Sequence, residues 1–332
     1  MGYACLELPS LNPCNFPEKI RLEVSPETVL FVVGPTAAGK SSFAIQMAKK
    51  LNGEIISADS MQVYRGMNIG TGKLTQSQQK KIPHHLINIC SPAANFSVFD
   101  FYHQAIKTIQ SVKARKKTPM IVGGTGLYVR SLLQGLELSV PPNKKIRERL
   151  EGNLKQKGLA YLVRQLKTKC PASFNKVDLK NPRRVIRALE KASLLRKKKH
   201  AQASELPSLE KLGMTPIVIC LTCEREVLYK RIEARVDEMV RLGWCREVQR
   251  LSRKRISKTA KQAIGYRQFI EYFRSKDRTQ MDVSKIIAQI KTDTRRYAKR
   301  QMTWFRNEKV DYWLAFSEKS PDSMNLTSKS LF

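Results

Sequence analysis

A phosphate-binding loop at residues 34–41 restricts this chain to few architectures. The segment matches the pattern G-x-x-x-x-G-K-[ST] without a gap, in which backbone N–H groups surround phosphate oxygens at the positive end of a helix. The loop consists of Gly34, Pro35, Thr36, Ala37, Ala38, Gly39, Lys40 and Ser41. Lys40 adds a cation, and the Ser41 hydroxyl can hold Mg²⁺. The loop therefore predicts a bound diphosphate or triphosphate, without specifying ATP.

The segments around this loop indicate an α/β fold. An apolar run at 28–33 predicts a strand before the loop, and the spacing of apolar residues at 41–51 predicts a helix after it. Further strands are expected at 54–58, 120–122 and 216–221, with a helix at 103–117. Because strands alternate with helices, we expect a P-loop NTPase-like parallel sheet flanked by helices.

Composition divides the chain into regions. Residues 1–25 lack periodicity and are expected to form a loose N-terminal extension, whereas residues 317–332 form a polar tail. Residues 141–212 have no strand-like run and are rich in Lys and Arg. They predict a basic helical domain inserted into the α/β core. That core then comprises residues 26–140 and 213–316 and ends in helices.

The charge of the chain indicates an acidic partner. There are 61 Lys and Arg against 28 Asp and Glu, a formal net charge of +33 at pH 7, and nucleic acid is the commonest partner of so basic a protein. No run approaches the roughly 18–20 apolar residues of a membrane span, and the N-terminus does not match a secretory signal. Seven scattered cysteines suit neither a disulfide framework nor a zinc site. We therefore expect a cytoplasmic protein with no membrane partner.

Two further strand ends carry residues suited to a ligand site. Residues 59–62 (Asp-Ser-Met-Gln) follow one predicted strand, and residues 123–128 (Gly-Gly-Thr-Gly-Leu-Tyr) follow another. The carboxyl ends of parallel strands line one crevice, so both segments are expected beside the phosphate loop. Asp59 is placed for base chemistry or metal coordination. Alternatively, an aspartate at this point can be a helix cap with no chemical role, and both interpretations stay open.

Eight ordered segments carry a resemblance to a known family. They are residues 34–41, 59–73, 83–87, 123–128, 181–190, 235–239, 263–268 and 294–305. In this order they resemble the tRNA dimethylallyltransferase family in its shorter, bacterial form, whose members prenylate an adenine beside the anticodon. Departures are modest: Asn88, Asn143 and Asn181 stand where the family usually has an acidic residue.

The resemblance implies a chemistry for the site. A dimethylallyl group would pass from dimethylallyl diphosphate to the exocyclic amine of the adenine immediately 3′ of the anticodon, giving isopentenyladenosine and diphosphate. The diphosphate would bind the phosphate loop, with Mg²⁺ on Ser41. The family assigns proton removal to the residue matching Asp59. It places an arginine at Arg235 to stabilise the leaving group together with Lys40, and Thr125 near the reacting centre. By periodicity alone, Arg235 lies beside an apolar stripe and would be a solvated helix residue.

The resemblance also implies contacts with the anticodon stem-loop of tRNA, made by a monomer. The implied tRNA-binding residues are Asp59, Ser60, Met61, Gln62, Thr125, Arg147, Arg183, Arg184, Val185, Ile186, Arg187, Gly265, Tyr266, Arg267, Lys299, Arg300, Gln301 and Trp304. Near the C-terminus, Tyr297, Trp304 and Phe305 alternate with cations, as the stacking of single-stranded bases requires. For Trp304, packing in the apolar core is an equally good interpretation.

Two other functions share the phosphate loop. One is a kinase acting on a small nucleoside or metabolite, which leaves the basic insertion unexplained. The other is a non-catalytic RNA-binding NTPase. The segments at 59–62, 83–87 and 123–128 favour the prenyltransferase over both.

Overall fold

The protein is described here by a computed structural model, which covers residues 4–9, 19–80, 82–138, 143–175, 177–195, 204–275 and 282–316. Its chain divides into two compact units. The first, which we call the sheet unit, contains residues 1–134 and 208–332, and the second, the helical unit, contains residues 135–207. The predicted tail at 317–332 lies outside the described residues.

Strands and helices alternate along the sheet unit as the sequence predicts. The elements of both units are numbered together in chain order. The strands are β1 Ala4–Pro9, β2 Lys19–Val24, β3 Thr28–Val33, β4 Gly53–Ser57, β5 His84–His85, β6 Thr118–Gly123, β7 Leu136–Leu138, β8 Ser204–Leu206, β9 Thr215–Cys223 and β10 Tyr312–Phe316. The helices are α1 Lys40–Lys50, α2 Gln76–Lys80, α3 Val98–Ala114, α4 Gly126–Leu133, α5 Lys144–Lys169, α6 Pro171–Phe174, α7 Pro182–Leu195, α8 Arg225–Arg241, α9 Trp244–Ser252, α10 Tyr266–Arg274 and α11 Val283–Arg306. None of the helices in these described ranges combines the length and the apolar character needed to cross a bilayer.

Six of the described strands form a parallel sheet in the order β10-β9-β3-β6-β4-β5. The predicted α/β fold with a parallel sheet is therefore confirmed. The four strands predicted from apolar runs are β3, β4, β6 and β9. Every residue of β3 is buried, as expected for a parallel strand covered on both faces. Two strands of this sheet were not predicted: β5, which is two residues long, and β10, which follows α11.

Helix α3 begins earlier than the predicted helix at 103–117 because of a capping box. The Ser97 N–H donates to the Asp100 carboxylate (2.8 Å), and the Asp100 N–H donates to the Ser97 hydroxyl (3.3 Å). The two residues satisfy each other's free backbone donors. The helix therefore runs from Val98 to Ala114.

In the parts that the structure describes, residues 4–9 and 19–25, the N-terminal segment is not the loose extension that its sequence predicts. β1 and β2 pair as antiparallel strands. Leu22 and Val24 are buried and belong to the same apolar cluster as the central strand β3 and helix α1. They alternate with Arg21 and Glu23, which is the two-residue period of a half-buried strand.

The helical unit is built from α5, α6 and α7, with short strands β7 and β8 pairing near its chain ends. Its core contains Leu150, Leu162, Leu166, Val185 and Leu189. The unit extends over residues 135–207 rather than the predicted 141–212, because β7 and β8 pair with each other. Strands of three residues are too short for a periodicity signal.

Buried Glu54 in β4 gives a prediction for acid stability. Its carboxylate lies 2.6 Å from Arg115, 2.7 Å from His85 and 3.1 Å from Lys117, and its side chain is 3% exposed. Burial by itself raises the pKa of Glu54, but the hydrogen bonds from these three side chains lower it to about 2, from 4.5.

Because the folded-state pKa lies below the unfolded value, this stabilisation is complete above pH 4.5 and is lost as the pH falls towards about 2. We expect a loss of about 3 kcal/mol in the free energy of unfolding over that range. Denaturant unfolding of wild type and Glu54→Gln between pH 6 and pH 2 measures it. The variant should lack this part of the pH dependence, whereas exposed Glu226→Gln should keep it. Parallel pH curves for wild type and Glu54→Gln would contradict the prediction.

Candidate active site

A cavity of about 500 Å³ lies at the carboxyl ends of the central strands of the sheet unit, where open α/β sheets bind ligands. It is lined by Thr36, Ala37, Gly39, Lys40, Ser41, Ser42, Ile55, Ser57, Asp59, Gln62, Thr71, Gly72, Leu74, His84, Ile87, Val122, Gly123, Gly124, Arg231, Ala234, Arg235, Tyr297 and Gln301. The cavity thus brings together most of the predicted phosphate loop with Asp59 and Arg235. Its size is that of a small-molecule site.

The phosphate loop has the geometry that its glycines predict. Gly34 has a φ of +133°, and a Cβ there would lie 2.3 Å from the Leu221 carbonyl oxygen of neighbouring β9. Gly39 has a φ of +81° and immediately precedes α1. Lys40 Nζ donates to the Pro35 carbonyl at 2.6 Å. Burial, and next the charge of Arg235, lower the pKa of Lys40 to about 8, so a bound anion would stabilise the charged ammonium.

The loop offers one residue to a metal ion. Ser41 is exposed at the start of α1 and lines the cavity. Mg²⁺ commonly takes one or two protein oxygens together with phosphate oxygens and water, so the hydroxyl fits that ion when a diphosphate is bound. Among the described residues there is no group of three His, Cys, Asp or Glu that could hold a metal by themselves.

Asp59 follows β4, and the structure overturns one of the two interpretations left open by the sequence. Its Oδ1 accepts the backbone N–H groups of Met61 (2.8 Å) and Gln62 (3.2 Å), as an aspartate does in a turn. The helix-cap interpretation is wrong, because a turn follows Asp59 and the next described helix, α2, begins at Gln76. The same side chain lines the cavity with Lys40 and Arg235. Within the described parts of the chain, Oδ2 receives no hydrogen bond, so one carboxylate oxygen is fixed by the loop and the other can take a proton.

Thr125 lies at the N-terminus of α4, next to the cavity rather than in its lining. Its hydroxyl accepts the Ser60 N–H at 3.1 Å, which joins the ends of β4 and β6. Tyr297 from α11 also reaches this point. Burial and the charge of Asp59 raise the pKa of Tyr297, against the opposing effects of Arg300 and of a hydrogen bond with Thr125. Tyr297 was not among the predicted site residues, although it is one of the aromatic residues that alternate with cations near the C-terminus.

Arg235 is the residue for which periodicity and resemblance disagree. Its guanidinium lines the cavity, and a Cβ on Gly72 would lie 1.7 Å from its Nη2. Burial lowers the pKa of Arg235, and the nearby Asp59 carboxylate raises it. The interpretation of Arg235 as a solvated helix residue is therefore wrong, since its long side chain leaves the helix surface and enters the cavity.

Gln301, predicted to bind tRNA, is instead a buried link within the site. Its Oε1 accepts the Thr36 N–H of the phosphate loop (2.9 Å), and its Nε2 donates to the Gly124 carbonyl (2.8 Å). One turn further along α11, Trp304 packs against Gly126, where a Cβ would lie 2.3 Å from the indole. The Arg130 guanidinium covers the Trp304 ring at 4.3 Å. Both side chains therefore contact the segment that carries Thr125. Trp304 is only half-buried and lies outside the buried apolar core, and its contact with RNA stays a prediction.

The predicted tRNA-binding residues of the helical unit fall into three groups. Arg183 and Arg184 are exposed, whereas Val185 and Ile186 are buried in the core of the unit, so their side chains do not face RNA. Arg147 and Arg187 are partly exposed and both donate to the fully buried Glu190 carboxylate, at 2.8 and 2.7 Å. The acidic partner was missed, although it is the one acid in the segment 181–190.

The remaining predicted contacts are also divided. Arg267, Lys299 and Arg300 are exposed, but Gly265 and Tyr266 are buried. The Tyr266 hydroxyl donates to the Glu247 carboxylate. Direct contact of the Tyr266 side chain with RNA is therefore not supported by its position, and Gly265 has no side chain to offer.

The link made by Gln301 can be tested by Gln301→Met, which keeps the volume and removes both hydrogen bonds. Because the Thr36 N–H and the Gly124 carbonyl then lose their partner, we expect the free energy of unfolding to fall by about 2 kcal/mol. The control is Arg300→Met on the exposed face of the same helix, which should change stability by less than about 0.5 kcal/mol and weaken RNA binding in a salt-dependent way. Denaturant unfolding and RNA titrations check both. Equal losses of RNA affinity would instead support direct contact by Gln301.

Comparison with known proteins places this site in a family. A family model described as IPP transferase matches residues 62–308. A protein named tRNA dimethylallyltransferase from Bacillus cereus (strain G9842) is 40% identical over 294 residues, covering 88% of this chain and 90% of that protein. The relative of the same name from Bacillus cereus (strain AH187) is 41% identical over 293 residues, with the same coverage.

Solved structures agree. The full-length tRNA isopentenylpyrophosphate transferase of Bacillus halodurans is 38% identical, with a TM-score of 0.63 over 87% of this chain and 90% of that one. A eukaryotic dimethylallyltransferase, solved acting on tRNA, is 25% identical, with a TM-score of 0.69 over 89% of this chain and 75% of that one. These similarities confirm the resemblance seen in the eight sequence segments: the chain belongs to the tRNA dimethylallyltransferase family.

Proposed function

We propose that this protein transfers the dimethylallyl group of dimethylallyl diphosphate to the exocyclic amine of the adenine immediately 3′ of the anticodon in tRNA, releasing diphosphate. The observation that carries the proposal is the cavity itself. It joins a phosphate loop, a carboxylate at Asp59 and a buried cation at Arg235 in one chamber. The names of the relatives match this reaction.

The diphosphate binds the phosphate loop in this proposal. Backbone N–H groups of the loop, Lys40 and Arg235 neutralise its charge, which grows on the leaving oxygen as the allylic C–O bond breaks. When bound, Mg²⁺ would neutralise further charge on the diphosphate, with Ser41 as its protein ligand. Lys40 and Arg235 repel each other, and burial disfavours the charged form of both. An anion bound between them would offset both effects. This favours the diphosphate over a neutral ligand.

Asp59 takes the proton in this proposal. As the adenine amine attacks the allylic carbon, the C–N bond forms and the nitrogen loses a proton to the carboxylate. The hydrogen bonds from the Met61 and Gln62 N–H groups hold the carboxylate in place. Thr125 and Tyr297 lie beside it and are suited to orienting the adenine by hydrogen bonding.

The RNA is held by cations on the surface. Exposed Arg183, Arg184, Arg267, Lys299 and Arg300 supply charge to phosphates of the anticodon stem-loop. The adenine has to leave its stack so that its amine can reach the allylic carbon inside the cavity. Since every group in the proposed reaction comes from one chain, we infer a monomeric enzyme. Its substrate is tRNA, and we infer the cytoplasm as its compartment.

The test is prenyl incorporation. Purified protein, Mg²⁺ and labelled dimethylallyl diphosphate are mixed with an unmodified tRNA that has adenine 3′ of its anticodon, or with the same tRNA carrying guanine there. Label on the first tRNA alone is expected. Turnover of ATP with no label on either RNA would overturn the proposal in favour of a phosphate-loop kinase or NTPase.

A further inference from the structure

One segment of the cavity wall pairs with none of the described strands. Residues 66–73, which we call the cavity loop, lie between β4 and α2 and contribute Thr71 and Gly72 to the lining. The Thr71 carbonyl accepts Gln62 Nε2 at 3.2 Å. Gly72, with a φ of +61°, lies directly against the guanidinium of Arg235. The position of this loop therefore limits where the Arg235 side chain can go.

The cavity loop is held by one carboxylate from α9. Glu247 Oε2 accepts the N–H groups of Asn68 and Ile69, both at 2.9 Å, and Oε1 lies 3.4 Å from the Gly70 nitrogen. Three successive backbone N–H groups form a concave site that suits an anion. The Tyr266 hydroxyl donates to the same carboxylate at 2.5 Å, so Glu247 joins the loop to the start of α10.

A second side chain of α9 fixes the loop by packing. Trp244, three residues before Glu247 and 2% exposed, packs closely against two glycines. A Cβ on Gly70 would lie 1.8 Å from its indole, and a Cβ on Gly265 would lie 2.0 Å from it. Spacing of three residues puts Trp244 and Glu247 on the same face of the helix. One helix thus holds the loop by both apolar contact and hydrogen bonds.

The far end of the loop has further attachments, two of which do not involve residues bound by Glu247. Lys73 Nζ donates to the Tyr64 carbonyl (2.5 Å) and to the side-chain oxygens of Asn88 (2.6 Å) and Asn68 (3.2 Å). Gly72 therefore lies between two attached segments: residues 68–70, bound by Glu247, and Lys73, bound to Tyr64 and Asn88. Loosening the first attachment would leave the chain attached at Lys73 but allow Gly72 to move away from Arg235.

We propose that Glu247 is a positioning residue for the diphosphate site: by binding the Asn68, Ile69 and Gly70 amides it keeps the cavity loop against Arg235, which fixes that guanidinium towards the phosphate loop. The inference rests on the proposed function for its substrate, dimethylallyl diphosphate. It assigns Glu247 no contact with either substrate. Its effect passes through Gly72 to Arg235.

The experiment uses the full chain with Glu247→Gln, which keeps the shape of the side chain but replaces one acceptor oxygen by an NH₂ group and removes the charge. The probe is inorganic diphosphate with Mg²⁺, measured by calorimetry. Amide hydrogen exchange at residues 68–70 is measured in parallel. Because hydrogen bonds to a charged acceptor are among the strong ones, we expect roughly tenfold faster exchange at these amides and roughly tenfold weaker diphosphate binding. Affinity for tRNA should be nearly unchanged.

Two further variants keep the test decisive if Glu247→Gln folds poorly. Tyr266→Phe removes one hydrogen bond and leaves the carboxylate, so it should give a smaller change of the same kind. Exposed Glu271→Gln in α10 is the matched control and should behave as wild type. In steady-state assays, Glu247→Gln should raise KM for dimethylallyl diphosphate and also lower kcat, because Arg235 neutralises the leaving group, while KM for tRNA stays unchanged. Partial unfolding would lower kcat without raising KM for one substrate alone.

The outcomes separate this inference from the proposed function. If wild type binds inorganic diphosphate and Glu247→Gln weakens it, but neither transfers label, the proposed reaction fails and the role of Glu247 stands. Faster exchange at 68–70 with unchanged diphosphate affinity overturns the positioning role. So does a uniform rise in exchange over the whole sheet unit, which would show a purely structural role, and so does a wild-type protein that binds no diphosphate.

Discussion

Replacing Asp59 by asparagine is expected to lower prenyl transfer by about 10²- to 10⁴-fold, the usual contribution of a general base, while tRNA binding is retained. The amide keeps an oxygen that can accept the Met61 and Gln62 N–H groups, which Asp59 now binds at 2.8 and 3.2 Å. It cannot accept the proton of the attacking amine at neutral pH. Single-turnover transfer of labelled dimethylallyl groups to tRNA measures the effect.

Removing the charge of Asp59 should not weaken diphosphate binding. The carboxylate favours the charged forms of Lys40 and Arg235, but it also repels an anion in the same cavity, so inorganic diphosphate should bind Asp59→Asn at least as well. Asp59→Ala, which also loses the two backbone hydrogen bonds, is the comparison that separates the role of a base from that of a turn-stabilising residue. Unchanged turnover in Asp59→Asn would remove Asp59 from the mechanism. Equal loss of binding and turnover would leave it only the turn-stabilising role.

The second large effect is expected for Gly34→Ala. A Cβ at Gly34 would meet the Leu221 backbone oxygen at 2.3 Å, and φ is +133°. The close contact cannot be relieved without separating β3 from β9, which pair directly before this position. We expect the free energy of unfolding to fall by about 3 kcal/mol or more. Diphosphate binding should also be lost, because Gly34 is the first residue of the phosphate loop.

The control for this substitution is Gly213→Ala. Gly213 also has a positive φ (+73°), but a Cβ there would meet no atom within 4 Å, so only the backbone cost of about 1–2 kcal/mol applies. Denaturant unfolding compares the two, and calorimetry with inorganic diphosphate checks the loop. Similar losses of stability in both variants would show that φ alone, and not contact with β9, requires glycine at position 34.

Buried acids explain why the number of basic residues overstates the RNA-binding surface. Glu54, Glu190 and Glu308 have side chains no more than 3% exposed, and each pairs with at least one arginine. Arg147 and Arg187, which the sequence assigns to tRNA, are in this way tied to Glu190. A fully buried carboxylate requires such partners, because an unpaired charge there is very costly. These two arginines can still present their exposed edges to a phosphate, but in a fixed orientation.

The site residues found from sequence and those missed differ in how far apart their partners lie. The phosphate loop, Asp59 and Thr125 follow strands directly, so local pattern is enough to predict them. Gln301 contacts Thr36 and Gly124, which lie 265 and 177 positions before it in the chain. Glu247 contacts amides that lie 177 to 179 positions before it. A glutamine in a basic helix and a glutamate in an amphipathic one have no local feature that distinguishes them from solvated residues.

The sequence by itself determined the α/β fold, the phosphate loop and the family, because each depends on short-range patterns: apolar runs, glycines at fixed spacing and ordered motifs. Only the tertiary structure decided which polar side chains enter the cavity and which are buried supports. Arg235 reaches the cavity because Gly72 leaves room for its guanidinium. Gln301, Tyr266 and Glu247 face inward because helices α9, α10 and α11 pack so that these side chains meet backbone groups or one another. That choice is made by the packing of distant elements, since hydrogen-bonding groups removed from water must find partners wherever the fold brings them.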